Sequence, residues 1–114
     1  MNLQETTRGP LDRAQIQKYA DAVGDHNTVH LDENFARRAG LPSVIAHGPL
    51  TLALALDAVV EQVGAEALRS ARTRLSAPVF PGDELTIVPT DTGVEVRKAD
   101  GTVAATLTLE LVAH

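Results

Sequence analysis

The chain has no cysteine, no tryptophan, one tyrosine and two phenylalanines. Without thiols it can form no disulfide, no thiolate metal centre and no cysteine nucleophile, so any chemistry it performs runs on oxygen and nitrogen groups. The same absence suits a reducing compartment. Long apolar runs are also missing: the stretch Leu50 to Leu56 ends at Asp57, far too short to span a bilayer, and the opening MNLQETTRGP lacks the apolar core of a signal peptide. The expectation is a cytoplasmic protein with no membrane contact. Basic residues are outnumbered, 10 against 15 acidic, for a net charge of -5, and aromatic residues make up 3%. No basic stripe with interleaved aromatics appears, which argues against a nucleic-acid partner. A phosphate-bearing ligand would have to use scattered cations such as Arg37, Arg38, Arg69, Arg72, Arg74, Arg97 and Lys98.

What is present is the composition of an ordinary globular domain, 44% hydrophobic and 22% charged over 114 residues. That length holds one core, burying about 65% of the surface of the unfolded chain, and not two. With no repeat or linker, residues 1–114 read as a single domain.

Asp12 and Gln15 have the spacing of a capping box, and Leu11 and Ile16 that of a hydrophobic staple, so a helix begins after Asp12. Ile16, Tyr19, Ala20 and Val23 form its apolar stripe, and Gly24 suits the left-handed stop. A shorter helix is predicted from an Asp32 cap through Phe35, Ala36 and Ala39, with Arg37 and Arg38 near its negative end and Gly40 and Pro42 closing it. Pro49 fits the first turn of a third helix, PLTLALALDAVVEQV, which runs to Gly64. Its first residues are apolar on almost every side, which predicts a helix enclosed by other structure.

Residues 68 to 112 read as strands separated by turns at Pro81-Gly82-Asp83, Asp91-Thr92-Gly93 and Asp100-Gly101, the last a two-residue hairpin turn. Val103, Ala105, Leu107, Leu109 and Leu111 alternate with Thr102, Ala104, Thr106, Thr108 and Glu110, the pattern of an antiparallel strand with one face inward. The architecture predicted is α+β, an antiparallel sheet curved around one helix, with residues 3 to 7 as a possible extra strand.

The chemistry-bearing residues concentrate in GDHNTVHLDENFARRAGLPSVIAHG, Gly24 to Gly48. Asp25 and His30 would lie about 140° apart on a continuous α-helix, but Gly24 and Asn27 favour an irregular turn that can bring them together. Three readings are open from the residues. Asp25 and Asn27 can simply make Asx turns in a linker. His26, His30, His47 and Asp25 can be weighed as metal ligands, but the Glu of an HExxH helix is missing and the segment is poor helix sequence. The third reading is an acid/base pair: an imidazole that exchanges a proton near neutrality, beside a carboxylate that orients it or a water. Ala46-His47-Gly48 leads straight into the third helix, where a main-chain N–H at the positive end of the dipole would suit an oxyanion.

The segment YADAVGDHNTVHLDENFARRAGLPSVIAHG resembles the hydratase-2 motif of MaoC-like hot-dog proteins, a family of (R)-specific enoyl-CoA hydratases and 3-hydroxyacyl thioester dehydratases. Tyr-Ala, Gly-Asp-x-Asn-x-x-His-x-Asp, Ala-Gly and Ile-Ala-His-Gly occur in the family's order, and APVFPGDELTI is similar to its strand-turn-strand after the helix. The resemblance covers nearly the whole chain and implies a hot-dog fold. It implies a catalytic dyad of Asp25 and His30, an oxyanion donor in the Gly48 N–H, and Asn27, His47, Leu52 and Leu56 around the substrate. The implied reaction is reversible hydration of a 2-enoyl thioester carried by coenzyme A or by a carrier protein. It needs no cofactor and no metal, and the family habit implies a homodimer or larger assembly. Thr28, Pro49 and Leu56 depart from the proline, methionine and serine common at those places. The competing expectations are a non-catalytic acyl-thioester-binding subunit of a heteromeric hydratase, and a hot-dog thioesterase.

Overall fold

A computed structural model describes residues 3–112. The elements run β1 (Thr6–Arg8), α1 (Arg13–Val23), α2 (Thr28–Leu31), α3 (Glu33–Arg38), α4 (Gly48–Val63), a 3₁₀ turn (Ala65–Ala67), β2 (Leu68–Leu75), β3 (Leu85–Pro89), β4 (Gly93–Arg97) and β5 (Val103–Leu111). The strands form one five-stranded sheet in the order β1-β3-β4-β5-β2, with every neighbouring pair antiparallel. This is the α+β hot-dog arrangement, a curved sheet with a long helix packed on it. Among the described residues no helix is long and apolar enough to cross a membrane.

Local chemistry places the helices where the sequence predicts them. The Asp12 carboxylate accepts the Gln15 N–H at 2.8 Å and the Gln15 side chain accepts the Asp12 N–H at 3.0 Å, a complete capping box. Gly24 ends α1 at φ 74°, its N–H donating to the Ala20 carbonyl. Leu11, Ile16 and Ala20 are buried, the leucine and isoleucine side chains each contributing about 1.5–3 kcal/mol of transfer free energy and the alanine methyl less. Val23 departs from the predicted stripe and is exposed, because α1 ends there in its turn toward Gly24, past the residues that pack on the core. Asp32 caps α3 by accepting the Phe35 N–H.

The hairpin of β4 and β5 also differs from expectation. Lys98 N–H donates to the Thr102 carbonyl and Gly101 N–H to the Lys98 carbonyl, so the loop spans Ala99, Asp100 and Gly101. Gly101 takes φ 89° in this three-residue loop, with a register shift beside Arg97, where a two-residue turn would have kept the ladder regular. On β5 the predicted inward residues Ala105, Leu107 and Leu109 are buried, but Val103 and Leu111 at the strand ends are only half-buried. Ala104, expected to face outward, is buried as well, because the Ser76 and Ala77 N–H groups bond its carbonyl and bring that segment over it. The extra strand is Thr6–Arg8, paired with β3, rather than residues 3 to 7.

Helix α4 is less enclosed than its composition predicts. Leu50, Thr51, Ala55, Ala58 and Val59 face the core, Leu52, Leu54 and Leu56 are half-buried, and Ala53, Asp57 and Glu61 meet solvent. One curved sheet covers one side of a helix, and the flanking leucines are left partly open. Asp57 and Glu61 pair with Arg8 of β1, which ties the exposed side of the helix to the sheet edge.

Candidate active site

The GDHNTVH segment folds as the turn after α1 followed by the single turn of α2. The Asn27 carboxamide oxygen accepts the Val29 N–H at 3.2 Å, capping α2, and the Asn27 N–H donates to the Asp25 carboxylate at 3.3 Å. The Asx-turn reading and the dyad reading are therefore compatible, since Asp25 shapes the turn and still faces His30. The sequence does not announce α2; four residues give too weak a periodicity to distinguish a helical turn from a loop.

Asp25, His30 and His47 each bring a potential ligand atom within 4.8 Å of the others. His30 Nδ1–H donates to the Ile45 carbonyl at 2.7 Å. A carbonyl oxygen only accepts, so in the neutral ring the lone pair is at Nε2, where it can take a proton. His47 Nε2–H donates to the Asp25 main-chain carbonyl at 3.0 Å, and its ring stacks on His30 with centroids 3.8 Å apart and planes 25° from parallel. Tyr19 packs on the same ring at 4.9 Å. His47 is 1% exposed, whereas His30 is half-buried and Asp25 lies at the surface of the chain.

This arrangement suits a proton relay better than a metal. Coordinating lone pairs lie in the imidazole planes, and two rings stacked nearly parallel direct them side by side rather than toward one ion. His26, the other sequence candidate, points elsewhere and bonds the Asp21 carboxylate at 2.8 Å. That bond, with the Gln17 amide, holds the Asp21 carboxyl below the usual aspartate range.

Gly48 begins α4, with His47 as N-cap and Pro49 behind it. Among the described residues its N–H meets no acceptor, and a Cβ at Gly48 would lie 2.3 Å from Leu75 Cδ1. A cavity of about 320 Å³ opens there, lined by Ile45, Gly48, Thr51, Leu75 and the Ser76–Val79 segment. Its rim is mainly apolar. Asp25 and His30 lie outside the lining itself, but Ile45, whose carbonyl anchors His30, forms one wall. Leu52 and Leu56 do not line it; their half-buried side chains pack against the core cluster. Thr51, 3% exposed, and Leu75, 50% exposed, are wall residues that the helix pattern and the strand pattern leave unmarked.

The family model for the MaoC like domain matches residues 2–113. The chain is 36% identical over 88 residues to 3-hydroxyacyl-thioester dehydratase X of Mycobacterium tuberculosis, covering 77% of this chain and 28% of that protein. It is 38% identical over 65 residues to the peroxisomal enoyl-CoA hydratase 2 of Arabidopsis thaliana, covering 54% of this chain and 21% of that one. The chain thus spans less than a third of the length of either curated relative. The unliganded R-hydratase PhaJ1 of Pseudomonas aeruginosa superposes with a TM-score of 0.84 at 23% identity, over 99% of this chain and 82% of that one, a likeness of fold.

Proposed function

The chain belongs to the MaoC-like domain family, and from that premise we propose that it is a hydro-lyase that adds water reversibly to 2-enoyl thioesters, giving 3-hydroxyacyl thioesters of (R) configuration. The observation that carries this reading is the convergence of Asp25 and His30, whose Nε2 has no partner among the described residues, near a cavity lined by Ile45 and Gly48. The Asp25 carboxylate accepts one O–H of a water and orients it. As the water oxygen bonds to C3 of the substrate, His30 Nε2 takes the second proton and the π pair moves onto the thioester oxygen. Gly48 N–H stabilises that enolate oxygen at the positive end of α4, where a preorganised donor is worth more than in water. The His30 imidazolium then returns its proton to C2, so one water has been added. Asn27 holds the turn that carries the carboxylate.

The acyl carrier is coenzyme A or a carrier protein, and the working unit is at least a dimer, with the cytoplasm as its compartment. Support for assembly comes from β2, an edge strand whose residues from Arg69 to Leu75 are all exposed, and from the half-covered flank of α4 at Leu52 and Leu56. An uncovered edge of this length invites pairing with another sheet. Incubation with crotonyl-CoA tests the reaction. Loss of enoyl absorbance without release of thiol supports the hydro-lyase; free thiol would mean a thioesterase, and no change a binding subunit.

A further inference from the structure

His47 is buried, yet it touches both halves of the dyad. Its Nε2–H reaches the Asp25 carbonyl at 3.0 Å and its face carries the His30 ring at 3.8 Å. Its Nδ1 is buried with no hydrogen-bond partner among the described residues. Burying an unsatisfied polar atom is unfavourable, a cost that a phenylalanine of similar shape would avoid. What phenylalanine lacks is the donor for Asp25.

We propose that His47 is a positioning residue for the hydration reaction, anchoring the Asp25 main chain through Nε2–H and seating the His30 ring by stacking. The inference rests on the hydro-lyase reading above. Asp25 follows the C-cap of α1, and the donor to its carbonyl is the His47 ring. The Asp25 N–H is held by the Ala20 carbonyl and its carboxylate by the Asn27 N–H at 3.3 Å, so removing the His47 donor releases the carbonyl side of Asp25 and loosens the placement of the carboxylate. His30 stands on a helical turn too short to be stable alone, and its ring is held by the Ile45 carbonyl at one edge and by His47 beneath. Gly48 is the next residue along from His47. The carboxylate, the base and the oxyanion donor therefore share one anchor. The titratable groups facing the His47 ring are Asp25, His30 and Tyr19, from the turn, α2 and α1. Because His47 is enclosed behind the dyad, its loss should act on turnover rather than on substrate affinity, in contrast to the substrate-contact role that the motif resemblance implies for it.

Three variants of the full chain separate the donor from the ring. His47→Phe keeps an aromatic face without the N–H, His47→Gln keeps an N–H without the ring, and His47→Ala removes both. Misplaced catalytic groups typically lose up to about 10²-fold, so His47→Phe and His47→Gln should each lower kcat for crotonyl-CoA by about 10- to 100-fold. KM should stay within about twofold, and Asp25→Asn with His47→Phe should be no slower than Asp25→Asn alone, since one acts through the other. Unchanged kcat, a rise in KM alone, or losses that multiply in the double variant would overturn the proposal. Ring-nitrogen NMR of the wild-type chain gives a test independent of turnover and of how the variants fold. His47 is expected as the Nε2–H tautomer and His30 as the Nδ1–H tautomer. The opposite tautomer at His47 overturns the positioning role even in an active enzyme, whereas a wild-type chain with these tautomers and no hydration activity would instead refute the hydro-lyase reading.

Discussion

His30 and His47 stack face to face at 3.8 Å, and each bonds the segment that carries the other. His30 Nδ1–H donates to the carbonyl of Ile45, just before His47, while His47 Nε2–H donates to the carbonyl of Asp25, just before α2. A main-chain bond from Ile45 N–H to the Val29 carbonyl at 3.2 Å closes the same junction. The crossed pattern makes the two segments one unit and, among the described residues, leaves two lone-pair nitrogens without a partner, the buried His47 Nδ1 and the more accessible His30 Nε2. It explains how a surface turn and a one-turn helix can hold Asp25 and His30 in place without a long element of their own.

If Asp25 and His30 share one water, as proposed, their contributions will be strongly non-additive. Asp25→Asn and His30→Ala are each expected to lower kcat by about 10²–10⁴, the scale of positioned acid/base catalysis, with the double variant little worse than either. Steady-state hydration of crotonyl-CoA, with folding checked by circular dichroism, measures this. Near wild-type turnover in both folded single variants would reduce the segment to an Asx-turn linker.

Gly48 is expected to be indispensable for turnover more than for folding. An alanine Cβ there would sit 2.3 Å from Leu75 Cδ1, the far end of a half-exposed side chain that can swing away. The stability loss should stay near the lower end of the 1–3 kcal/mol typical of overpacking, about 1 kcal/mol. The displaced leucine would crowd the donor and the cavity mouth. Gly48→Ala should therefore lose most of its activity, and Gly48→Ala with Leu75→Ala should recover part of it; a double variant as poor as the single one would place the defect in the backbone of α4 instead.

Chelation should leave the enzyme working. The stacked imidazoles do not converge on an ion, and the proposed addition of water relies on proton transfer at His30 and on the Gly48 N–H for the enolate oxygen rather than on a Lewis acid. Hydration rates before and after prolonged EDTA treatment are expected to agree, and a loss restored by zinc would contradict the dyad mechanism.

Glu33 links stability to pH. The Arg13 guanidinium, 2.5 Å away, is the main reason its carboxyl is held below the ordinary glutamate value of 4.5, with Arg37 adding to the effect. A carboxyl lowered in the folded state binds fewer protons there than in the unfolded chain, so its contribution is complete above 4.5 and fades as pH falls through the lowered folded value. Arg13→Ala should reduce the urea midpoint at neutral pH, and the gap to wild type should narrow in acid. Equal gaps at both pH values would mean that the pair contributes nothing through ionisation.

Features set within a few residues were legible in the sequence. The capping box at Asp12 and Gln15, the left-handed stop at Gly24 and the Asp32 cap depend on neighbours in the chain and are present in the fold, and the alternation holds from Ala105 to Glu110 but breaks at the buried Ala104. The dyad candidates were legible through the motif that carries them. Val23 reads as core and is exposed, because the stripe shows which face is apolar but not where the neighbouring surface ends. For the same reason the enclosure of α4 is overstated by its composition, since apolar residues on many sides do not reveal that a single sheet covers one of them.

By itself, then, the sequence determined the long helices, the Asp32-capped helix, the strand region and the residue types available for proton transfer, all local properties of backbone preference and periodicity, but not the single turn of α2. Only the tertiary structure decided that His47 stacks beneath His30, that Ile45 selects the His30 tautomer, and that Leu75 of the edge strand closes on Gly48. Those contacts join residues distant along the chain, and their geometry follows from the packing of α1, α4 and the curved sheet against one another, which no local pattern encodes.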